Sequence, residues 1–211
     1  MQNDASFRHY YRCTINCSSY VVMDAPPDKE NIVPFIKITQ ILSQFNILVP
    51  QILAYDLEYG FIVLSDLGDT WLLECLNQAT PVQALNWYQK AIQGIIQIQE
   101  IPTLERQLSD YIIPRFDSAH IRLELSYFSD WFLKQLLKLD LSPVQESIVE
   151  QASVCLIQSA ALEPQVLIHR DYHSRNLMVL PDEKLGIIDY QDAMIGPLSY
   201  DLASLLKDCY I

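Results

Sequence analysis

The spacing of apolar residues changes character along this chain. Residues 7–15 are rich in aromatic and β-branched side chains, and residues 18–23 (SSYVVM) repeat that composition; both read as strands. Asn16 and Cys17 lie between them in a turn-like stretch, so a hairpin is predicted. Pro26-Pro27-Asp28 breaks the pattern. Residues 31–45 then place Ile32, Phe35, Ile36, Ile38, Ile41, Leu42 and Phe45 on one helical face. Residues 52–56 and 61–64 read as two further strands joined around Glu58-Tyr59-Gly60.

After this β-rich part the period becomes helical. Pro81 stands at a helix start, residues 85–99 keep the helical repeat, and residues 123–139 and 144–161 are two more long amphipathic stretches. A boundary is expected near Leu67-Gly68-Asp69, giving units of residues 1–68 and 69–211. The last region turns back to short strands at 166–168, 177–180 and 185–188, the latter two around Pro181-Asp182-Glu183, before helical spacing resumes at 200–208. No internal repeat is visible.

Composition narrows the class. Half of the 211 residues are hydrophobic and 19% are charged, as in a folded globular chain. No apolar run is long enough to cross a bilayer, no signal peptide is visible, and a cytoplasmic location with no membrane partner is expected. The net charge of −12 argues against a nucleic-acid partner. It permits a cationic substrate and equally serves plain solubility. The five cysteines form no CxxC pair; Cys13 and Cys17 have no second metal-ligating pair to join, so reduced thiols are expected. Nothing in the sequence fixes an oligomeric state.

The chemistry is concentrated in His169-Arg170-Asp171-Tyr172-His173-Ser174-Arg175-Asn176, followed by Gly186-Ile187-Ile188-Asp189. A carboxylate after a short strand, an amide five residues later and a second carboxylate after the next hairpin are the parts that phosphoryl transfer from a nucleotide requires. One carboxylate accepts the proton of an attacking hydroxyl, while the amide and the other carboxylate supply hard oxygens to Mg²⁺.

This arrangement is the H-R-D-x-x-x-x-N loop of the kinase fold. With His173 two residues after Asp171, and Tyr200-Asp201-Leu202-Ala203 downstream, the chain resembles the aminoglycoside/choline phosphotransferase family. Within it, Ile188-Asp189-Tyr190-Gln191-Asp192-Ala193, Asp4-Ala5-Ser6-Phe7-Arg8, Val22-Met23-Asp24-Ala25-Pro26-Pro27 and Leu64-Ser65-Asp66-Leu67-Gly68 are most similar to the N-acetylmuramate/N-acetylglucosamine anomeric kinases of cell-wall recycling. The resemblance implies an α+β, bilobal protein-kinase-like fold with a β-rich N-lobe and a mainly helical C-lobe, here truncated. It implies ATP and Mg²⁺ as cofactors and a small-molecule amino sugar as acceptor, with an aminoglycoside, choline or homoserine kinase, or a silent nucleotide-binding protein, as alternatives.

By the same resemblance Asp171 is the base, and Asn176 and Asp189 are the metal ligands. Ser6, Phe7 and Arg8 lie at the phosphate-covering loop, and Ser65, Asp66 and Leu67 form the hinge that meets adenine. His169 braces the loop. His173 and Arg175 either neutralise developing phosphate charge or order the loop. Asp192 either assists the metal or faces solvent, and Asp201 caps a helix or ties loops together. Asp117, Glu124 and Trp131 are candidate sugar contacts or plain structure. The pattern departs from the protein kinases in two places: residues 20–23 carry no phosphate-binding lysine, and no glycine precedes Gly60.

Overall fold

A computed structural model describes residues 7–102 and 111–209. Four strands form an antiparallel sheet in the order β1-β2-β4-β3: β1 (His9–Ile15), β2 (Ser18–Asp24), β3 (Ile52–Asp56) and β4 (Phe61–Ser65). Ile15 pairs with Ser18, and the two turn residues Asn16 and Cys17 both take the left-handed conformation, φ 50° and 64°. A two-residue hairpin loop needs this at both central positions.

Helix α1 (Val33–Gln44) begins with a proline in its first turn, where no backbone N–H is missed. It buries Phe35, Ile36, Ile38, Thr39, Ile41 and Leu42. These join Met23, Ile62 and Leu64 of the sheet in one core, which continues into Leu167, Leu177, Ile187 and Leu205 of the later region.

Helix α2 (Leu72–Gln78) was not expected: with only Leu72 and Leu76 buried, it is too short to show a period. Helix α3 (Pro81–Gln99) is set by a reciprocal Thr80–Gln83 capping box and buries Ala91, Ile95 and Ile98.

The expectation of one long amphipathic helix over 123–139 needs correction. Helix α4 (Ser118–Tyr127) gives way to a π-helical stretch, Phe128–Leu136, and neither buries a residue. The wider i→i+5 winding shifts the apolar positions around the axis. Leu123, Tyr127, Phe128 and Trp131 stay exposed. Helix α5 (Pro143–Leu162) lies beside α4 and buries only Ile157.

Two small antiparallel pairs complete the molecule: β5 (Gln165–Ile168) with β8 (Met194–Pro197), and β6 (Leu177–Val179) with β7 (Leu185–Ile187). Helix α6 (Tyr200–Leu206) follows. Backbone hydrogen bonds tie these pairs to the rest: Ile187 N donates to Leu48 O at 2.8 Å, and Val179 N to Thr70 O at 2.8 Å. A β-rich N-terminal sheet followed by a mainly helical part is therefore the architecture. Among the described residues no helix is long and apolar enough to cross a membrane.

Candidate active site

Strand β5 ends at Ile168, and the chain then runs through Asp171 to a 3-10 turn, Ser174–Asn176. Asp201 organises this loop from below. Fully buried at the start of α6, it accepts hydrogen bonds from His169 N at 2.7 Å and Arg170 N at 3.0 Å. Burial pushes its carboxyl up to about 6, against the pull of those two N–H groups. Of the two expectations for Asp201, the tie between loops is the one found; Ser199, not Asp201, is the cap residue. Arg170 takes a left-handed φ of 78°, a conformation that surrounding contacts must hold in place. Its Nη2 donates to Glu124 Oε1 at 2.8 Å, and Tyr200 donates its hydroxyl to Glu124 Oε2 at 2.8 Å.

His169 is buried and bridges two segments. Asp171 N donates to its Nδ1 at 3.2 Å, so the ring proton lies on Nε2, 3.0 Å from Ile188 O. Burial lowers this imidazole to about 4, against the Ile188 carbonyl and the Asp189 charge. A neutral, clamped ring braces the loop as expected.

Asn176 and Asp189 meet the same loop. Asn176 Nδ2 donates to Asp171 O at 2.9 Å, and Ile188 N donates to Asn176 O at 3.0 Å. Asp189 follows directly, at a left-handed φ of 64°. The Asp171 carboxyl is raised, first by desolvation and then by the Asp189 charge. That desolvation is partial, since Asp171 keeps an accessible face. His173 lies near enough to oppose the shift, and Asp192 near enough to add to it. Arg175 sits in the 3-10 turn between them and Asn176. The structure thus brings Asp171, His173, Asn176, Asp189 and Asp192 together.

The donor set fits magnesium. The Asn176 amide nitrogen is committed to Asp171, which leaves its oxygen. Asp189 Oδ1 accepts from Gln191 Nε2 at 2.9 Å, which leaves Oδ2. Two hard oxygens suit an ion that takes its other ligands from phosphate and water. Among the described residues no group of three or more His, Cys, Asp or Glu could hold a metal by side chains alone.

The N-terminal sheet faces this centre. Arg8 Nη2 lies 3.1 Å from Glu30 Oε2 in a largely desolvated ion pair, and Phe7 N donates to Glu30 Oε1 at 3.0 Å. Tyr10 is pushed up to about 12 by burial, with Arg8 pulling it down and Asp189 and Glu30 adding to the rise. Tyr10 is therefore close enough to the Arg8–Glu30 pair and to Asp189 to feel all three charges. Met23, on the strand that lacks the lysine, is fully buried. Ser6 lies outside the described residues.

The three hinge candidates are also placed. Ser65 Oγ accepts from Gln51 N at 2.8 Å. Asp66 accepts from Ser19, Gly68 N and Arg12. Leu67 lies against Gly186, where an added Cβ would stand 2.7 Å from Leu67 Cδ1. These side chains are thus engaged in structure, and Ser65 N also donates to Gln51 O at 2.9 Å.

The remaining candidates are not drawn in. Asp117 is exposed and caps α4, accepting from Ala119 N and His120 N. Trp131 is 61% exposed on the π-helical stretch. Glu124 reaches the loop, but through Arg170 and Tyr200. Sequence reasoning missed Glu30, Tyr10 and Gln191. Gln191 stands inside a quoted motif and the other two just beyond one, and nothing in residue type or spacing distinguishes any of them from a solvated neighbour.

The comparisons agree with one another. The model of a phosphotransferase enzyme family matches residues 1–211. The N-acetylmuramate/N-acetylglucosamine kinase of Pseudomonas aeruginosa is 39% identical over 211 residues, which cover 99% of this chain and 59% of that protein. The protein of the same name from Neisseria meningitidis serogroup B is 37% identical over 209 residues, covering 99% and 60%. The chain therefore spans about three fifths of the length of the curated relatives it matches. An aminoglycoside-3'-phosphotransferase of type VIII superposes with a TM-score of 0.65 at 15% identity, covering 98% of this chain and 75% of that one. Plasmodium vivax ethanolamine kinase gives a TM-score of 0.60 at 19% identity, covering 96% and 61%. These likenesses show a shared fold.

Proposed function

The chain belongs to the phosphotransferase enzyme family, and from that premise we propose that it carries the catalytic centre of an ATP-dependent sugar kinase acting on the anomeric hydroxyl of an N-acetylated amino sugar such as N-acetylmuramate or N-acetylglucosamine. The observation that carries the reading is the linkage of Asp171, Asn176 and Asp189 through the Asn176 amide and the Ile188 N–H. The names of the relatives from Pseudomonas aeruginosa and Neisseria meningitidis support the choice of acceptor.

The chemistry is a displacement at phosphorus. The acceptor oxygen bonds to the γ-phosphorus as the bond to the β,γ-bridging oxygen breaks, and ADP leaves. Asp171 orients the hydroxyl and takes its proton; a carboxyl held above its usual range is a better acceptor for that proton. Asn176 and Asp189 would hold Mg²⁺, which supplies electrostatic stabilisation of the phosphate oxygens when bound. Arg8, steadied by Glu30, stands in for the absent strand lysine as the cation facing the phosphates. Arg175 adds positive charge at the loop, and His173 lies beside Asp171. The backbone of Ser65, Asp66 and Leu67 receives the adenine.

The test is a panel of acceptors incubated with ATP and Mg²⁺ and read by phosphorus NMR. A sugar anomeric phosphate is expected from the wild type. Asp171→Asn should lower turnover by about 10²–10⁴-fold while leaving Mg·ADP binding intact. Phosphorylation of a non-anomeric hydroxyl overturns the choice of acceptor, and undiminished turnover by Asp171→Asn overturns the role of Asp171.

A further inference from the structure

Gln191 stands between two acidic residues in the sequence and carries no charge to announce itself. It is 6% exposed, and its Nε2 lies 2.9 Å from Asp189 Oδ1 and 3.2 Å from Asp192 Oδ2. Ionised carboxylates only accept hydrogen bonds, so chemistry fixes the orientation of the amide. Its NH₂ faces the two acids, and its carbonyl faces inward. There Oε1 is buried with no hydrogen-bond partner among the described residues. An amide retained for packing alone would satisfy both ends, because a buried unpaired acceptor costs about 1–3 kcal/mol.

We propose that Gln191 is a positioning residue that sets the metal-binding carboxylate: its two amide hydrogens hold Asp189 Oδ1 and Asp192 Oδ2, fix the rotation of the Asp189 carboxylate and leave Oδ2 to face the cation. The inference rests on the magnesium reading above. An amide suits the task better than an arginine or lysine. A cation at 191 would hold the same two acids, but it would cancel the charge that attracts the metal and would repel the metal itself. The amide holds two like charges close together and leaves both of them negative. Asp192 thereby acquires a role as the second anchor of the amide, without being a ligand.

The test uses Mn²⁺ as a paramagnetic probe of the full chain with ADP, titrated by electron paramagnetic resonance, alongside ADP binding in chelator by calorimetry. Gln191→Met keeps the length and removes the amide. Gln191→Glu keeps the shape and replaces the donor with an acceptor. Both variants should weaken Mn²⁺·ADP binding by about tenfold or more, the loss typical when the partner of a metal ligand is removed. Metal-free ADP binding should stay within twofold of wild type. Circular dichroism checks the fold, and either variant alone decides if the other fails to fold. Mn²⁺ affinity within twofold of wild type, or an equal loss with and without metal, overturns the inference. Metal-dependent binding by the wild type with unaffected variants would sink this inference alone; metal-independent binding by the wild type would sink the magnesium reading along with it.

Discussion

His169 and Asp171 are two residues apart, and burial acts on them in opposite senses of charge. Desolvation favours the neutral form of each, so the imidazole falls and the carboxyl rises. For His169 the consequence is measurable. Its folded value of about 4 lies well below the ordinary value of 6.5. Its contribution to stability is therefore fully present above pH 6.5 and is lost as pH falls from there toward about 4. Nitrogen NMR of the ring should show one neutral species protonated on Nε2, unchanged from pH 8 down to about pH 5. A ring that titrates near 6.5 would mean that the bridge from Asp171 N to Ile188 O is not closed in solution. Tyr190, beside the other carboxylate, shows the same economy of placement: it is buried, it stacks on Phe35 with ring centroids 5.2 Å apart, and its hydroxyl lies 2.8 Å from Thr39 Oγ1. Asp189 is thus anchored to α1 through its neighbour.

At the scale of elements, α3 supports the loop through Tyr172, the residue after Asp171. The Tyr172 hydroxyl donates to Ala91 O at 2.8 Å, and Gly94 leaves the room for it. Glycine inside a helix ordinarily costs about 0.5–1 kcal/mol relative to alanine, so Gly94→Ala would stabilise an isolated α3. Here the added Cβ would stand 2.4 Å from the Tyr172 hydroxyl. We expect a net loss of about 1–3 kcal/mol in urea unfolding, with a fall in turnover; a more stable variant would refute the contact. This also shows where the sequence was legible. The strands at 9–15, 18–24 and 61–65 were readable from their aromatic and β-branched composition, and helix α1 because its period matches the face it buries. The loop from His169 to Asn176 was readable because its chemistry requires fixed spacings. What escaped were short elements with too few residues for a period: α2, and β8, a four-residue strand that ends in Gly196-Pro197. The 123–139 stretch misled because a period reports which side chains could share a face, not whether a neighbour covers it. Glu30 escaped because an ion pair to a residue distant in sequence leaves no local mark, and Gln191 because an uncharged amide does not announce bonds to the acids on either side of it.

At the scale of the whole molecule, the four-stranded sheet and the helical part are joined by the linker after β4, and one side chain spans that joint. Arg12 on β1 reaches Asp66 with Nε at 2.6 Å and Nη2 at 3.0 Å, donates to Gly68 O at 2.9 Å, and also pairs with Asp69. Burial pushes the Asp66 carboxyl up, but hydrogen bonds from Ser19, Gly68 N and Arg12 outweigh it and hold it below the usual range. Exposed ion pairs contribute little to stability, usually 0–1 kcal/mol each, so Arg12→Ala should unfold at nearly the wild-type denaturant concentration. The larger effect belongs to geometry, because the strap sets how the sheet sits over the linker whose backbone would receive the nucleotide. Losing about 1 kcal/mol of that preorganisation corresponds to a roughly fivefold higher KM for ATP, with the KM for the acceptor unchanged. Salt should bring the wild type only part of the way toward the variant, since a pair in direct contact lies well inside the screening length of about 10 Å at 0.1 M and is weakened, not abolished. Nucleotide KM values that coincide for wild type and Arg12→Ala at low salt would show that the strap does not set the nucleotide site.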